Sequence, residues 1–278
     1  MADLKAGIDI IRPVNCFFAG ISALAAMYIE NASLATVLSA TGLFAFVAVV
    51  LLCGAGNIFN DYFDIESDMI NKPKRPLPSG RIKQKEAMAL GLVLAFFGIV
   101  AAYRLNINAL LLAGANLAIL YTYSRMKETT PFGNIVVAYL AGSVFLFGGI
   151  AVSSVQKVWI LALLSALATF AREITKDIED IKGDKFRKTT LATYYGDKVA
   201  GIIGGSILIA AIFLSILPLR MHIFGARYLY GIFVADCIFA YCAYRLVAEP
   251  TKYASDNARL EKVGMWAALV AFIVGAMS

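Results

Sequence analysis

Two short stretches of this 278-residue chain carry carboxylates at helical spacing. In NIFNDYFDIESD, Asn60, Asp64 and Asp68 fall at i, i+4 and i+8. At about 100° per residue they spread over an arc of roughly 80°, so an unbroken helix projects all three from one face. In AREITKDIEDIKGD, Asp177, Asp180 and Asp184 fall at i, i+3 and i+7 and again share a face. Carboxylates gathered this closely repel one another in a low dielectric. Divalent cations relieve that repulsion. Mg2+ takes carboxylate oxygens, keeps several waters and shares its remaining positions with substrate phosphates. An anionic ligand also needs cations. Lys72, Lys74 and Arg75 follow the first stretch, and Arg172 and Lys176 accompany the second. The pattern points to acidic side chains holding Mg2+ against a diphosphate. Asp61 and Glu66 fall off the shared face and are expected to meet solvent or to stand behind the ligands.

These side chains need elements to position them, and composition says which kind. Hydrophobic residues make up 60% of the chain, charged residues 16%, and mean hydropathy is +0.74. A soluble fold of this length has too little interior to hide that much apolar surface. An ordinary soluble enzyme and a disordered chain are both excluded. The single histidine, His222, excludes multi-histidine metal sites and leaves no base for a catalytic triad unless it serves alone. Cys16, Cys53, Cys237 and Cys242 all lie in apolar stretches without a CxxC pair, and read as buried free thiols.

Residues 31–60 carry no charge, a run longer than the roughly 20 residues a helix needs to cross a bilayer. Uncharged runs at 105–124, 132–156 and 199–219, with apolar segments near 11–29, 87–103, 158–171, 228–244 and 263–277, bring the expected membrane helices to nine. The start MADLKAGIDIIRP lacks a basic head and a small-residue cleavage site, so the first helix is expected to be retained. With alternating sides, 21 Lys and Arg fall on the side of the N-terminus and 4 on the other. That bias puts the N-terminus and the long loops in the cytoplasm and the C-terminus outside. The net charge of +6 then belongs to cytoplasmic loops, and nucleic acid is not an expected partner. Both acidic stretches end even-numbered spans at the cytoplasmic face. Asp64 to Asp180 and Asp68 to Asp184 share an offset of 116 residues, the mark of a weak internal repeat.

The motifs resemble a known family. NDYFDIESD is similar to the NxxxDxxxD motif of the UbiA-type intramembrane prenyltransferases, and KDIEDIKGD to their second, DxxxD, motif. NKPKRPLPSGRI resembles the family's basic, proline-rich loop, and YSRMKETTPFGN its loop between the fourth and fifth spans. The likeness runs over nearly the whole chain. It implies an all-α polytopic membrane protein: nine transmembrane helices around a central cavity, two pseudo-repeated halves, cytoplasmic cap loops, and one domain over residues 1–278. It implies Mg2+-dependent transfer of a prenyl group from an allylic diphosphate. Asn60, Asp64, Asp68, Asp180 and Asp184 would bind metal, with Asp177 beside them. Arg75, Lys127 and Lys176 would contact diphosphate, with Lys74 and Arg172 behind. Tyr123 is the one aromatic expected near the prenyl chain. The IRPVNC start and the short chain are most similar to archaeal members that attach a second geranylgeranyl chain to geranylgeranylglyceryl phosphate. Such a lipid-like phosphate acceptor needs its own cationic seat, for which Arg12 and Asn15 are candidates. An aromatic acceptor (a quinone precursor or haem) stays open, as does a transporter of different chemistry. Asp236, alone within the eighth span, and Asn116, within the fourth, are polar groups inside the membrane that call for an explanation.

Overall fold

The computed structural model describes residues 4–126, 133–181 and 189–277, and every described regular element is a helix. In order they are α1 (Leu4–Ile11), α2 (Pro13–Asn31), α3 (Leu34–Val37), α4 (Ala40–Phe63), α5 (Ile65–Asn71), α6 (Gln84–Tyr103), α7 (Ile107–Met126), α8 (Gly133–Ala151), α9 (Val158–Glu179), α10 (Leu191–Tyr195), α11 (Asp197–Leu214), α12 (Leu217–Arg220), α13 (Arg227–Ala248) and α14 (Pro250–Ala276). With no water in a bilayer core, a spanning segment must pair its own backbone groups, which a helix does.

Among the described residues, eight helices are long and apolar enough to cross a membrane: α2, α4, α6, α7, α8, α9, the α11–α12 stretch and α13. The ninth expected span, 263–277, forms the second half of α14. The first half of α14 was expected to be loop. It is helical although it carries Lys252, Asp256, Arg259, Glu261 and Lys262, because one side of it is buried. Ala254, Asn257, Ala258 and Glu261 are all covered. The short α1 was not foreseen either. Ala6 and Ile10 are fully buried while Leu4 and Ile8 point outward.

The chain forms two compact units, Met1–Lys127 with Leu146–Ser154, and Glu128–Phe145 with Val155–Ser278. In each, helices approach closely through small residues, which lets backbones touch where the surrounding lipid offers no hydrophobic advantage. In the first unit, a Cβ on Gly148 would stand 2.2 Å from the carbonyl oxygen of Ala23. In the second, a Cβ on Gly201 would stand 2.3 Å from that of Leu246. Cys16, Cys53, Cys237 and Cys242 are free thiols as expected, but only Cys16 and Cys242 are buried; Cys53 is half-buried and Cys237 is exposed, on the outward side of α13.

Candidate active site

The first acidic stretch lies where α4 ends. The helix closes at Phe63, Asp64 takes φ −89° and ψ 3°, and α5 resumes at Ile65. The expected unbroken helix from Asn60 to Asp68 is therefore corrected to two segments that meet at Asp64. The hydrogen-bond ladder survives the joint: Asp64 N–H donates to Asn60 O at 3.0 Å, and Asp68 N–H to Asp64 O at 2.8 Å. Asp64 and Asp68 are both buried, and Asn60 Nδ2 donates to Asp64 Oδ2 at 3.0 Å.

Of the two places expected for Asp61, solvent and a position behind the ligands, the first does not hold. Asp61 is 2% exposed. Its Oδ1 pairs with Arg12 Nη2 and also lies 3.1 Å from Arg75 Nη1. Arg75 Nη1 reaches Asp68 Oδ2 as well, at 2.5 Å. Burial works against the Arg75 cation, yet Asp61 and Asp68 more than offset it and hold its pKa above the ordinary arginine range. A helical wheel misses Asp61 because it scores one face and cannot see a partner 49 residues upstream. A signal was present all the same. The 116-residue offset that matches Asp64 with Asp180 also matches Asp61 with Asp177.

Both arginines are set by local structure. Arg12 joins α1 to α2 in the left-handed region, φ 57° and ψ 64°. Pro13 follows it, and a residue before proline is disfavoured in the right-handed helical region. A non-glycine residue at positive φ costs about 1 kcal/mol or more and persists only where its surroundings impose it. Here Asn57 Nδ2 donates to Ile11 O at 2.8 Å, and the Cys16 thiol donates to the same oxygen at 3.1 Å. Arg75 belongs to the loop after α5. That loop is pinned by Leu77 and Ile82, buried with Ala6, Ile10 and Ile58, and by Arg81, which pairs with Asp9 at 2.8 Å. Lys74 is exposed, and Asn15 and Tyr123 are half-buried, at the start of α2 and near the end of α7.

The second acidic stretch repeats the helix-end geometry. α9 closes at Glu179, and Asp180 takes φ −89° and ψ 2°, its N–H donating to Lys176 O at 2.9 Å. Asp177 Oδ2 accepts from Asn134 Nδ2 of α8 at 2.7 Å. Lys176 Nζ lies 2.6 Å from Glu173 Oε2. Arg172 Nε donates to Ala258 O of α14 at 3.2 Å. One turn before Asp180, the buried Thr175 donates to Glu261 Oε1 at 2.9 Å and locks α14 to α9. Asp184 and Lys127 lie outside the described residues.

Among the described residues, no three Asp, Glu, His or Cys side chains stand close enough to hold a metal ion by themselves. The donor set nevertheless fits Mg2+. Asp64 and Asp68 are hard oxygen donors on adjacent turns, and Mg2+ takes one or two carboxylates when phosphate oxygens complete its shell. Asp236 has a structural explanation. Ser215 Oγ, at the end of α11, donates to Asp236 Oδ2 at 2.9 Å, while Tyr228 OH donates to Ser215 O at 2.6 Å. The carboxylate thus helps to close the end of a helix.

Helices of this length and polarity define an integral membrane protein, and buried acid groups beside half-buried guanidiniums mark its candidate site. The family description "UbiA prenyltransferase family" matches residues 19–270, and the chain belongs to that family. It is 41% identical over 280 residues to the digeranylgeranylglyceryl phosphate synthase of Methanocaldococcus jannaschii, covering 100% of this chain and 98% of that one. A solved structure of a digeranylgeranylglyceryl phosphate synthase superposes with a TM-score of 0.80 at 41% identity, covering 100% of this chain and 99% of that one. A UbiA homologue from Archaeoglobus fulgidus bound to GPP and Mg2+ shares the fold, with a TM-score of 0.66 at 15% identity, covering 96% and 99%.

Proposed function

We propose that this protein transfers a geranylgeranyl group from geranylgeranyl diphosphate to geranylgeranylglyceryl phosphate, forming digeranylgeranylglyceryl phosphate. The full-length likeness to synthases of that product carries the reading. It acts as one prenyltransferase domain over residues 1–278, with the N-terminus and the site on the cytoplasmic side and the C-terminus outside. The 21-to-4 segregation of basic residues supports that sidedness.

Asn60, Asp64, Asp68, Asp180 and Asp184 hold two Mg2+ ions, with Asp177 beside them. The A. fulgidus homologue with GPP and Mg2+ supports a metal-bound donor in this fold. Bound there, Mg2+ supplies positive charge against the departing diphosphate. Arg75, Lys127 and Lys176, backed by Lys74 and Arg172, bind the diphosphate oxygens and orient the leaving group. Tyr123 lies along the allylic chain. Arg12 and Asn15 receive the phosphate of the acceptor. Its free glycerol hydroxyl attacks C1 of the donor as the carbon–diphosphate bond breaks. The bonding pair leaves with the diphosphate, and the hydroxyl proton passes to diphosphate or water. Apolar surroundings keep water from capturing the allylic carbon.

The test incubates purified protein in detergent with labelled geranylgeranyl diphosphate, Mg2+ and a panel of acceptors, with products read by mass spectrometry. Labelled digeranylgeranylglyceryl phosphate is expected. A product formed only on an aromatic acceptor, or uptake into liposomes with no product, would overturn the assignment.

A further inference from the structure

Arg12 and Arg75 arrive from different parts of the first unit and end on one oxygen atom. Arg12 Nη2 and Arg75 Nη1 both engage Asp61 Oδ1. Two guanidiniums brought this close repel each other, and both are largely withdrawn from water, with side chains 28% and 25% exposed. The carboxylate between them is what makes the approach tolerable. Asp61 is covered almost completely, so its charge is weakly screened by solvent. Arg12 is further held in a left-handed turn that Asn57 and Cys16 impose.

Arg75 has a second partner, Asp68, at 2.5 Å. Asp68 is also a proposed metal ligand, so the same carboxylate is claimed twice. Asp61 resolves the conflict. When Asp68 turns to metal, Arg75 keeps a carboxylate and stays at the site. Counting these four side chains, the cluster is neutral while Asp68 pairs with Arg75. It carries one net positive charge, on two adjacent guanidiniums, once Asp68 is drawn away. That is when a phosphate needs them.

We infer that Asp61 is a positioning residue, not a metal ligand, and that it sets Arg12 for the acceptor phosphate and Arg75 for the donor diphosphate. The inference rests on the donor and acceptor roles proposed above. It adds a coupling: one carboxylate serves both phosphate seats.

The test is a pair of mutant cycles on the full-length protein in detergent, with KM for each substrate measured separately from kcat. Asp61→Asn keeps the shape and removes the charge. It is expected to raise both KM values about tenfold with a smaller fall in kcat. In an Arg12→Gln background, adding Asp61→Asn is expected to leave the acceptor KM where it was and still raise the donor KM. In an Arg75→Gln background the pattern reverses. A purely structural role would instead lower kcat and thermal stability in every background, and such additive losses would overturn the inference. Should Asp61→Asn alone fail to fold, the Arg12→Gln/Asp61→Asn double variant, with one charge of each sign removed, is compared with Arg12→Gln.

A binding arm separates this inference from the proposed reaction. Calorimetry follows inorganic diphosphate with Mg2+ onto the wild type, Asp61→Asn, Arg75→Gln and the double variant. About tenfold weaker binding in Asp61→Asn, with no further loss when it is added to Arg75→Gln, supports the role. Unchanged binding in Asp61→Asn overturns it, whether or not the glycerol lipid proves to be the acceptor.

Discussion

Asp61 and Asp177 stand 116 residues apart, each three residues before an aspartate that closes its helix with nearly the same backbone angles. Their partners differ. Asp61 is buried between two guanidiniums, Arg12 and Arg75. Asp177 is half-buried and accepts a hydrogen bond from the neutral Asn134. Both carboxylates accept charge-assisted bonds, but in the first the two donors are cations as well, so opposite charges meet there. The same local geometry has thus been put to different uses. In our proposal both ends hold metal, and the first also uses a carboxylate to fix two guanidiniums for phosphate.

The largest expected effect would break the comparison at its shared feature. Asp64→Ala and Asp180→Ala occupy matched helix ends, and each should lower turnover by about a thousandfold while leaving the thermal unfolding transition in place. Near-normal turnover in one of them would mean that only one end does chemistry. The next effect sharpens the difference. Asp61→Asn should raise KM for both substrates about tenfold, whereas Asp177→Asn, which disturbs the bond from Asn134, should change KM about threefold or less. Equal effects would remove the asymmetry. A smaller contrast concerns how each end is braced. Thr175→Val leaves Glu261 buried without its donor and should cost about 1–2 kcal/mol, read as a lower unfolding temperature. Arg81→Ala removes a pair whose side chains are 35% and 38% exposed, and should cost at most about 1 kcal/mol. Smallest of all, Lys74→Ala removes an exposed side chain and should change the donor KM by about twofold or less.

The long charge-free runs made the helices legible, because a bilayer leaves little choice about how a spanning segment pairs its backbone. The acidic helix ends were legible for a related reason: carboxylates at i+4 spacing beside basic loops are costly without a ligand. What stayed hidden depended on distant contacts. Asp61 stayed open between solvent and a place behind the ligands because its neighbours in the chain say nothing of Arg12, whose placement requires the turn before Pro13. The charged first half of α14 looked like loop because its pattern reveals neither the buried face nor the bond from Thr175 to Glu261. The joint at Asp64 was invisible to a helical wheel, which assumes the helix continues.

The most direct measurement is a calorimetric titration of geranylgeranyl diphosphate into the wild type, Asp64→Asn and Asp180→Asn, each with Mg2+ and with EDTA in its place. Expected is tight binding by the wild type only when Mg2+ is present, lost in both variants although each unfolds at the wild-type temperature. Binding that survives EDTA, or that persists in both variants, would contradict a diphosphate held through metal by the two acidic helix ends.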